Sequence, residues 1–221
     1  MKRLQAFISF VEGFGLLFGF YIERRFEYVL GNETPKPLLT IIAFLSLLAS
    51  IMLFGQLAKS SVERWRWLRR TILGDNYIEG VWFNKVPTEP PLYGLLHFEF
   101  RNGSVGVEGE QYNGQAILTA TWHSEMAHFD GSILTYAYKV IYVREGQPHE
   151  IQGVSRISFA KVSRNGVPLS YNGHFQDIAA ERQNFCFTGF RLEDEDLLSK
   201  IESPSGKHDA ILALISRLNS N

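Results

Sequence analysis

The chain has 221 residues and a single cysteine, Cys186, so a disulfide framework and a thiolate zinc site are both excluded. Its length excludes a large multi-domain enzyme. No glycine-rich phosphate-cradling loop precedes a helix, and there is no nucleophile elbow and no plausible catalytic triad. The histidines, His97, His123, His128, His149, His174 and His208, stand singly without the spacing of metal ligands. No catalytic residue, metal or cofactor is therefore assigned, and the chain is read as non-enzymatic.

Charge is nearly absent from two stretches. Leu4 to Ile22 carries only Glu12, and Leu38 to Leu57 carries none. About 20 helical residues cross a hydrocarbon core of roughly 30 Å, so both are expected to be transmembrane helices. Lys2 and Arg3 precede the first, but Phe20-Tyr21-Ile22-Glu23-Arg24-Arg25 offers no small-residue cleavage site, which favours a retained anchor over a signal peptide. Three units follow: a hairpin over 1–57, a basic juxtamembrane helix or linker over 58–73, and a soluble domain over 74–221. Lys2, Arg3, Lys59, Arg64, Arg66, Arg69 and Arg70 flank the outer ends of the two spans, against Arg24, Arg25 and Lys36 between them. That bias predicts both termini and the soluble domain on the cytoplasmic side. Trp65 and Trp67 among the arginines suit the headgroup level.

Glu12 in mid-helix is a functional candidate, because a carboxylate at that depth is costly. Gly15 and Gly19 form a small-xxx-small pair that lets helix backbones approach closely. It suits either lateral self-assembly or packing of the two spans against each other.

The domain after Gly74 is acidic, near −6 once the basic first third is set aside, which argues against a nucleic-acid polymer as partner. Its pattern changes to short alternating segments: Tyr77–Asn84, Leu92–Arg101, Ser104–Gln111, Gln115–Ser124, Ser132–Arg144, Glu150–Ser163, Val167–Ile178 and Asn184–Leu192. Between them stand Pro87/Pro90/Pro91, Asn102-Gly103, Asn113-Gly114, Asp130-Gly131, Glu145-Gly146, Asn165-Gly166 and the polar stretch Ala180–Gln183. The fold class is thus a membrane α-helical hairpin plus an all-β domain, an eight-stranded up-and-down antiparallel barrel with a C-terminal helix over Ser205–Leu218. An open sandwich is the alternative. The run Glu193-Asp194-Glu195-Asp196 reads as solvated beside the last strand.

A barrel of this size encloses space for one small ligand. Alternation turns Leu134, Tyr136, Tyr138, Val140 and Tyr142 inward, and Leu169, Tyr171, Gly173 and Phe175 likewise. Aromatic faces stack on bases and an arginine fork grips phosphate, so the candidate ligand residues are Tyr138, Tyr142, Arg156, Trp122 and Tyr112. Strict alternation sets Arg156 opposite to Ile157 and Phe159, which leaves a solvent-facing placement open.

Gly80-Val81-Trp82 in the first strand and Gly189-Phe190-Arg191 in the last resemble the calycin, or lipocalin-like, barrels. That resemblance implies a structural plug, with Arg191 covering Trp82 at the barrel floor. The order of parts adds a second likeness: two spans, a basic Trp-containing linker ending Leu73-Gly74-Asp75-Asn76-Tyr77-Ile78-Glu79-Gly80-Val81-Trp82, then a minimal barrel containing Tyr171-Asn172-Gly173-His174-Phe175-Gln176-Asp177. The whole resembles the two-transmembrane β-barrel effectors of bacterial CBASS anti-phage defence. The resemblance implies an inner-membrane protein, a cyclic di- or oligonucleotide ligand made by a partner nucleotidyltransferase, homo-oligomerisation on activation, and disruption of the lipid bilayer. A membrane-tethered carrier of a lipid or other apolar ligand is the rival reading, and a barrel that merely docks a protein a third.

Overall fold

Uninterrupted apolar sequence becomes helix in a lipid setting because a helix satisfies every backbone polar group internally. The computed structural model describes all residues except 1, 31–35, 102–103, 145–146, 161–166, 179–183 and 221. It divides the chain into two compact units, Met1–Leu73 and Gly74–Asn221.

The first unit contains α1 (Lys2–Leu30), α2 (Lys36–Arg64) and the short α3 (Arg66–Leu73). Spans of 23 residues in α1 (Arg3–Arg25) and 25 in α2 (Thr40–Arg64) are long and apolar enough to cross a membrane. Phe10, Leu17, Phe44, Leu45 and Met52 project outward from them. Hydroxyls within α2 are satisfied locally: Ser46 donates to the Ala43 carbonyl and Ser50 to the Ser46 carbonyl, each at 2.8 Å. The helix breaks at Trp65. Arg69 is buried there and donates to the carbonyls of Val62, at 2.8 Å, and Glu63, so a cation closes the C-terminal end of α2. Trp65 and Trp67 stay exposed, with their rings stacked 6.3 Å apart.

Gly15 and Gly19 are both taken up inside this hairpin. Gly15 abuts Phe54, Ile51 and the carbonyl of Ser50, while Gly19 abuts Leu47. Of the two expectations for the small-residue pair, packing of α1 on α2 within the chain is the one observed. Glu12 lies against Gly55 of α2.

The second unit opens with a 3-10 turn, Gly74–Asn76, and proceeds through β1 (Gly80–Val86), β2 (Leu92–Arg101), β3 (Ser104–Tyr112), β4 (Leu118–Phe129), β5 (Ile133–Arg144), β6 (Gln147–Phe159), β7 (Ser170–Asp177) and β8 (Asn184–Arg191). Each strand pairs antiparallel with its sequence neighbour, and β8 returns to β1, giving a closed eight-stranded barrel. Closure removes the unpaired edges that an open sandwich would present. Two turns show the expected chemistry. Asn113 Oδ1 accepts the backbone N–H groups of Gln115 (2.9 Å) and Ile117 (3.0 Å), and Asp130 Oδ1 accepts those of Ser132 (3.3 Å) and Ile133 (2.9 Å). Gly131 follows with φ +97°, a left-handed conformation that disfavours any side chain. The expected turns at Asn102-Gly103, Glu145-Gly146, Asn165-Gly166 and Ala180–Gln183, and the expected end of the sixth segment over 161–163, lie outside the described residues.

β1, β6 and β7 each start three residues from the expected position, and two elements differ more. β4 runs five residues beyond Ser124 because a bulge at Glu125 resets the alternation, returning Ala127 and Phe129 to the side occupied by Trp122. The C-terminus forms two helices, α4 (Glu195–Glu202) and α5 (Lys207–Asn219), instead of one. The acidic run begins the first of them: Asp194 caps α4 by accepting the N–H groups of Asp196 (3.0 Å) and Leu197 (3.2 Å). Glu195 and Asp196 then occupy its first turn, where the helix dipole favours negative charge. These helices cover the outer face of β1–β3, where Phe83, Tyr93, Leu95 and Tyr112 pack with Ile201, Ile211, Leu214 and Ile215.

Candidate functional site

One end of the barrel is filled. Trp82 is fully buried, with its ring centroid 5.3 Å from that of Tyr171, 5.4 Å from Phe159 and 5.9 Å from Phe98. Its indole N–H donates to the Ile78 carbonyl at 2.9 Å. Arg191 faces it across the β1–β8 seam, with the guanidinium carbon 5.6 Å from the Trp82 ring and 5.2 Å from that of Tyr77. The same guanidinium donates to the carbonyls of Tyr77, at 3.2 Å, and Glu79. Rings and cation together close this end.

The other half of the barrel is hollow. A cavity of about 50 Å³ is lined among others by Asn84, Gln111, Trp122, Ser155, Asp177 and the tyrosines 136, 138 and 142. That is room for a few ordered waters.

The register explains how long side chains fit across so narrow a barrel. Tyr138, Gly153 and Asp177 are successive neighbours across β5, β6 and β7. The ring of Tyr138 lies over Gly153, and its hydroxyl donates to Asp177 Oδ1 at 2.6 Å. Tyr142 donates to Oδ2 of the same carboxylate at 3.4 Å. The pattern recurs at Tyr171, Gly189 and Asn84 across β7, β8 and β1, and Trp122 lies over Gly109. Asn84 Oδ1, however, is buried without a hydrogen-bond partner among the described residues, and the Tyr171 hydroxyl faces the Asn84 amide short of full hydrogen-bond geometry.

Electrostatics follow burial. Burial foremost, and then its hydrogen bond to Asp177, holds the Tyr138 phenol protonated well beyond the ordinary tyrosine range. Burial pushes Tyr136 up to about 12, opposed by hydrogen bonds with Ser155 and Trp122. Tyr136 and Tyr138 are therefore neutral at any physiological pH.

Tyr138, Tyr142 and Trp122 are brought together on the cavity wall. Two other expected ligand residues are not. Arg156 is exposed on the outer face of β6, in register with Thr135 and His174, so its guanidinium cannot meet anything inside. Tyr112 is buried, but outside the barrel under α5, donating to Glu110 Oε2 at 2.6 Å, while Lys207 pairs with the same carboxylate at 2.7 Å. The residue that sequence reasoning passed over is Asp177. Extending the alternation of Tyr171, Gly173 and Phe175 by one step would have turned it inward. On the outer face His97, Glu108 and His123 sit side by side on β2, β3 and β4, yet among the described residues no three His, Cys, Asp or Glu side chains converge as metal ligands.

The fold and cavity define a class: a two-helix membrane segment joined to a closed antiparallel barrel, plugged at one end and open at the other. No protein-family model and no curated protein sequence matches the chain.

Proposed function

We propose that this chain is a membrane-anchored, non-enzymatic receptor of bacterial antiviral defence whose cytoplasmic barrel binds a cyclic di- or oligonucleotide. A partner nucleotidyltransferase supplies that signal; binding then drives homo-oligomerisation, and the assembled helices disrupt the inner membrane. The observation that carries this reading is the lining of the open half: stacking surfaces from Trp122 and three tyrosines, interleaved with Asn84, Gln111, Ser155 and Asp177. Aromatic faces alternating with hydrogen-bonding groups suit nucleobases. The polar groups give a nucleobase partners, while Val86, Leu96, Val140, Phe175 and Phe187 on the same wall keep the lipid carrier as the rival reading. Asp177 would repel a phosphodiester, and the described lining holds no Lys or Arg. The phosphates therefore stay at the hydrated mouth, and a base engages the aromatic wall only if the open end widens around it.

The test is a thermal-shift titration of the full chain in lipid nanodiscs against cyclic di- and trinucleotides, with a fatty acid as control. A ligand at one hundred times its dissociation constant adds about 2.7 kcal/mol of stability. Stabilisation by a cyclic nucleotide is expected. Stabilisation by the fatty acid with silence from every nucleotide would overturn the receptor in favour of the carrier.

A further inference from the structure

Resting on the oligomerisation in that reading, we infer that copies of this chain join through a polar seam inside the bilayer. Glu12 and Ser9 on α1 of one copy hydrogen-bond Gln56 and Ser60 on α2 of the next. Glu12 stands within about 3 Å of the middle of the 23-residue span Arg3–Arg25, at about 1.5 Å of rise per residue. It is half-buried, with its carboxyl group packed on Gly55. Ser9 is exposed on the neighbouring turn of α1, and Gln56 and Ser60 are exposed one turn apart on α2. Whereas Ser46 and Ser50 spend their hydroxyls on carbonyls of their own helix, Glu12, Ser9, Gln56 and Ser60 have no hydrogen bond or ion pair among the described residues. Hydrocarbon offers none, so these groups stay unsatisfied until a second polar surface covers them.

That surface comes from another copy. Within the hairpin, α2 meets α1 through Leu47, Ile51, Phe54 and Gly55, which also uses up Gly15 and Gly19. At about 100° per residue, Gln56 and Ser60 fall on the opposite side of α2, turned away from Glu12 of their own chain. The two sets nevertheless match in depth, because the helices run antiparallel with Glu12 level with Gly55. Toward the same face of the bilayer, Ser9 lies about 4.5 Å beyond Glu12 along α1, and Ser60 about 6 Å beyond Gln56 along α2. The Gln56 carboxamide donates to the Glu12 carboxyl group, and the two serine hydroxyls pair with each other. The halves of the contact sit on different helices, so it is head-to-tail and every added copy presents a fresh half to the next.

The experiment follows energy transfer between full-length chains labelled at Cys186, the single and exposed cysteine, in phospholipid vesicles over a range of protein-to-lipid ratios and without nucleotide. Glu12→Leu and Gln56→Leu should each weaken self-association by roughly 3- to 30-fold, the range that hydrogen bonds between membrane helices contribute. Glu12→Gln keeps a hydrogen-bonding group and should stay near the wild type. A mixture of the two leucine variants retains one intact contact, Glu12 of the Gln56→Leu chain against Gln56 of the Glu12→Leu chain. Donor on one and acceptor on the other should therefore pair as tightly as wild type, although neither variant does so alone. Should Glu12→Leu fail to insert, Ser9→Leu takes its place in the mixture. Undiminished association of the single variants, a wild type that is monomeric at every density, or a mixture no tighter than its components overturns the seam. Silence from every cyclic nucleotide in the thermal titration, with a shift from fatty acid, overturns the receptor and leaves the seam standing.

Discussion

Tyr138 reaches Asp177 only because Gly153 stands between them: the three are neighbours on adjacent strands, and the phenol crosses the space a side chain at 153 would fill. An alanine there would meet the Tyr138 ring on one side and the Gln176 carbonyl, 2.7 Å away, on the other. Gly153→Ala should therefore destabilise the barrel by about 1–3 kcal/mol, the usual cost of overpacking. It should also abolish ligand-induced stabilisation by swinging the phenol off Asp177. Chemical denaturation gives the first quantity and the nanodisc titration the second; unaltered values in both would show the ring is free to move.

The two buried tyrosines laid over glycines should respond differently to loss of the hydroxyl. Tyr138→Phe strips a donor from a buried carboxylate and should cost about 1–3 kcal/mol. The Tyr171 hydroxyl faces the Asn84 amide short of full hydrogen-bond geometry, so Tyr171→Phe should fall within about 0.5 kcal/mol of the parent. Equal losses would place an ordered water on Tyr171.

At the plugged end, Arg191→Lys keeps the charge but loses the planar fork that spans the Tyr77 and Glu79 carbonyls. A loss of about 1–3 kcal/mol is expected, read as a lower denaturation midpoint with an unchanged slope.

His97 supplies a pH dependence. It sits on the outer face of β2, and burial lowers its pKa below 6.5, with Lys207 acting in the same direction and Glu110, Glu108 and Glu202 opposing. The unfolded chain thus binds the proton more readily than the fold does. The resulting stability is complete above about pH 6.5 and is lost as pH falls toward the lower folded value. His97→Gln should flatten the fall in unfolding temperature between about pH 7 and about pH 5. An equally steep fall in the variant would assign the effect elsewhere.

Much of the fold is written in periodicity. Two uncharged runs and alternating segments separated by Asn-Gly, Asp-Gly and proline turns are enough to specify a hairpin and a meander, because period and turn chemistry are local properties. The misplacements have physical causes that are not local. Tyr112 shares the outer parity of Glu108 and Glu110 on β3, where α5 supplies a second apolar surface outside the barrel, and the ring buries there. Arg156 obeys its alternation, and a side chain wanted for phosphate chemistry does not override the pleat. The bulge at Glu125 hid the end of β4 by shifting the period. Asp194-Glu195-Asp196 resembled a solvated loop until the helix behind it revealed the cap. Gly15 and Gly19 carried an ambiguous signal, since close approach of two backbones reads the same whether the second helix belongs to the same chain or another.

Every strand of the barrel pairs with the one made just before it except at the β1–β8 seam, where Trp82 must wait for Arg191, 109 residues downstream. On the ribosome, at about 5–20 residues per second, that wait lasts roughly 5 to 20 s. The apolar hairpin has by then long emerged and is available to the insertion machinery. The membrane part is thus committed to lipid while the barrel is still an open ribbon, and the last strand to be translated turns a tethered sheet into a closed vessel.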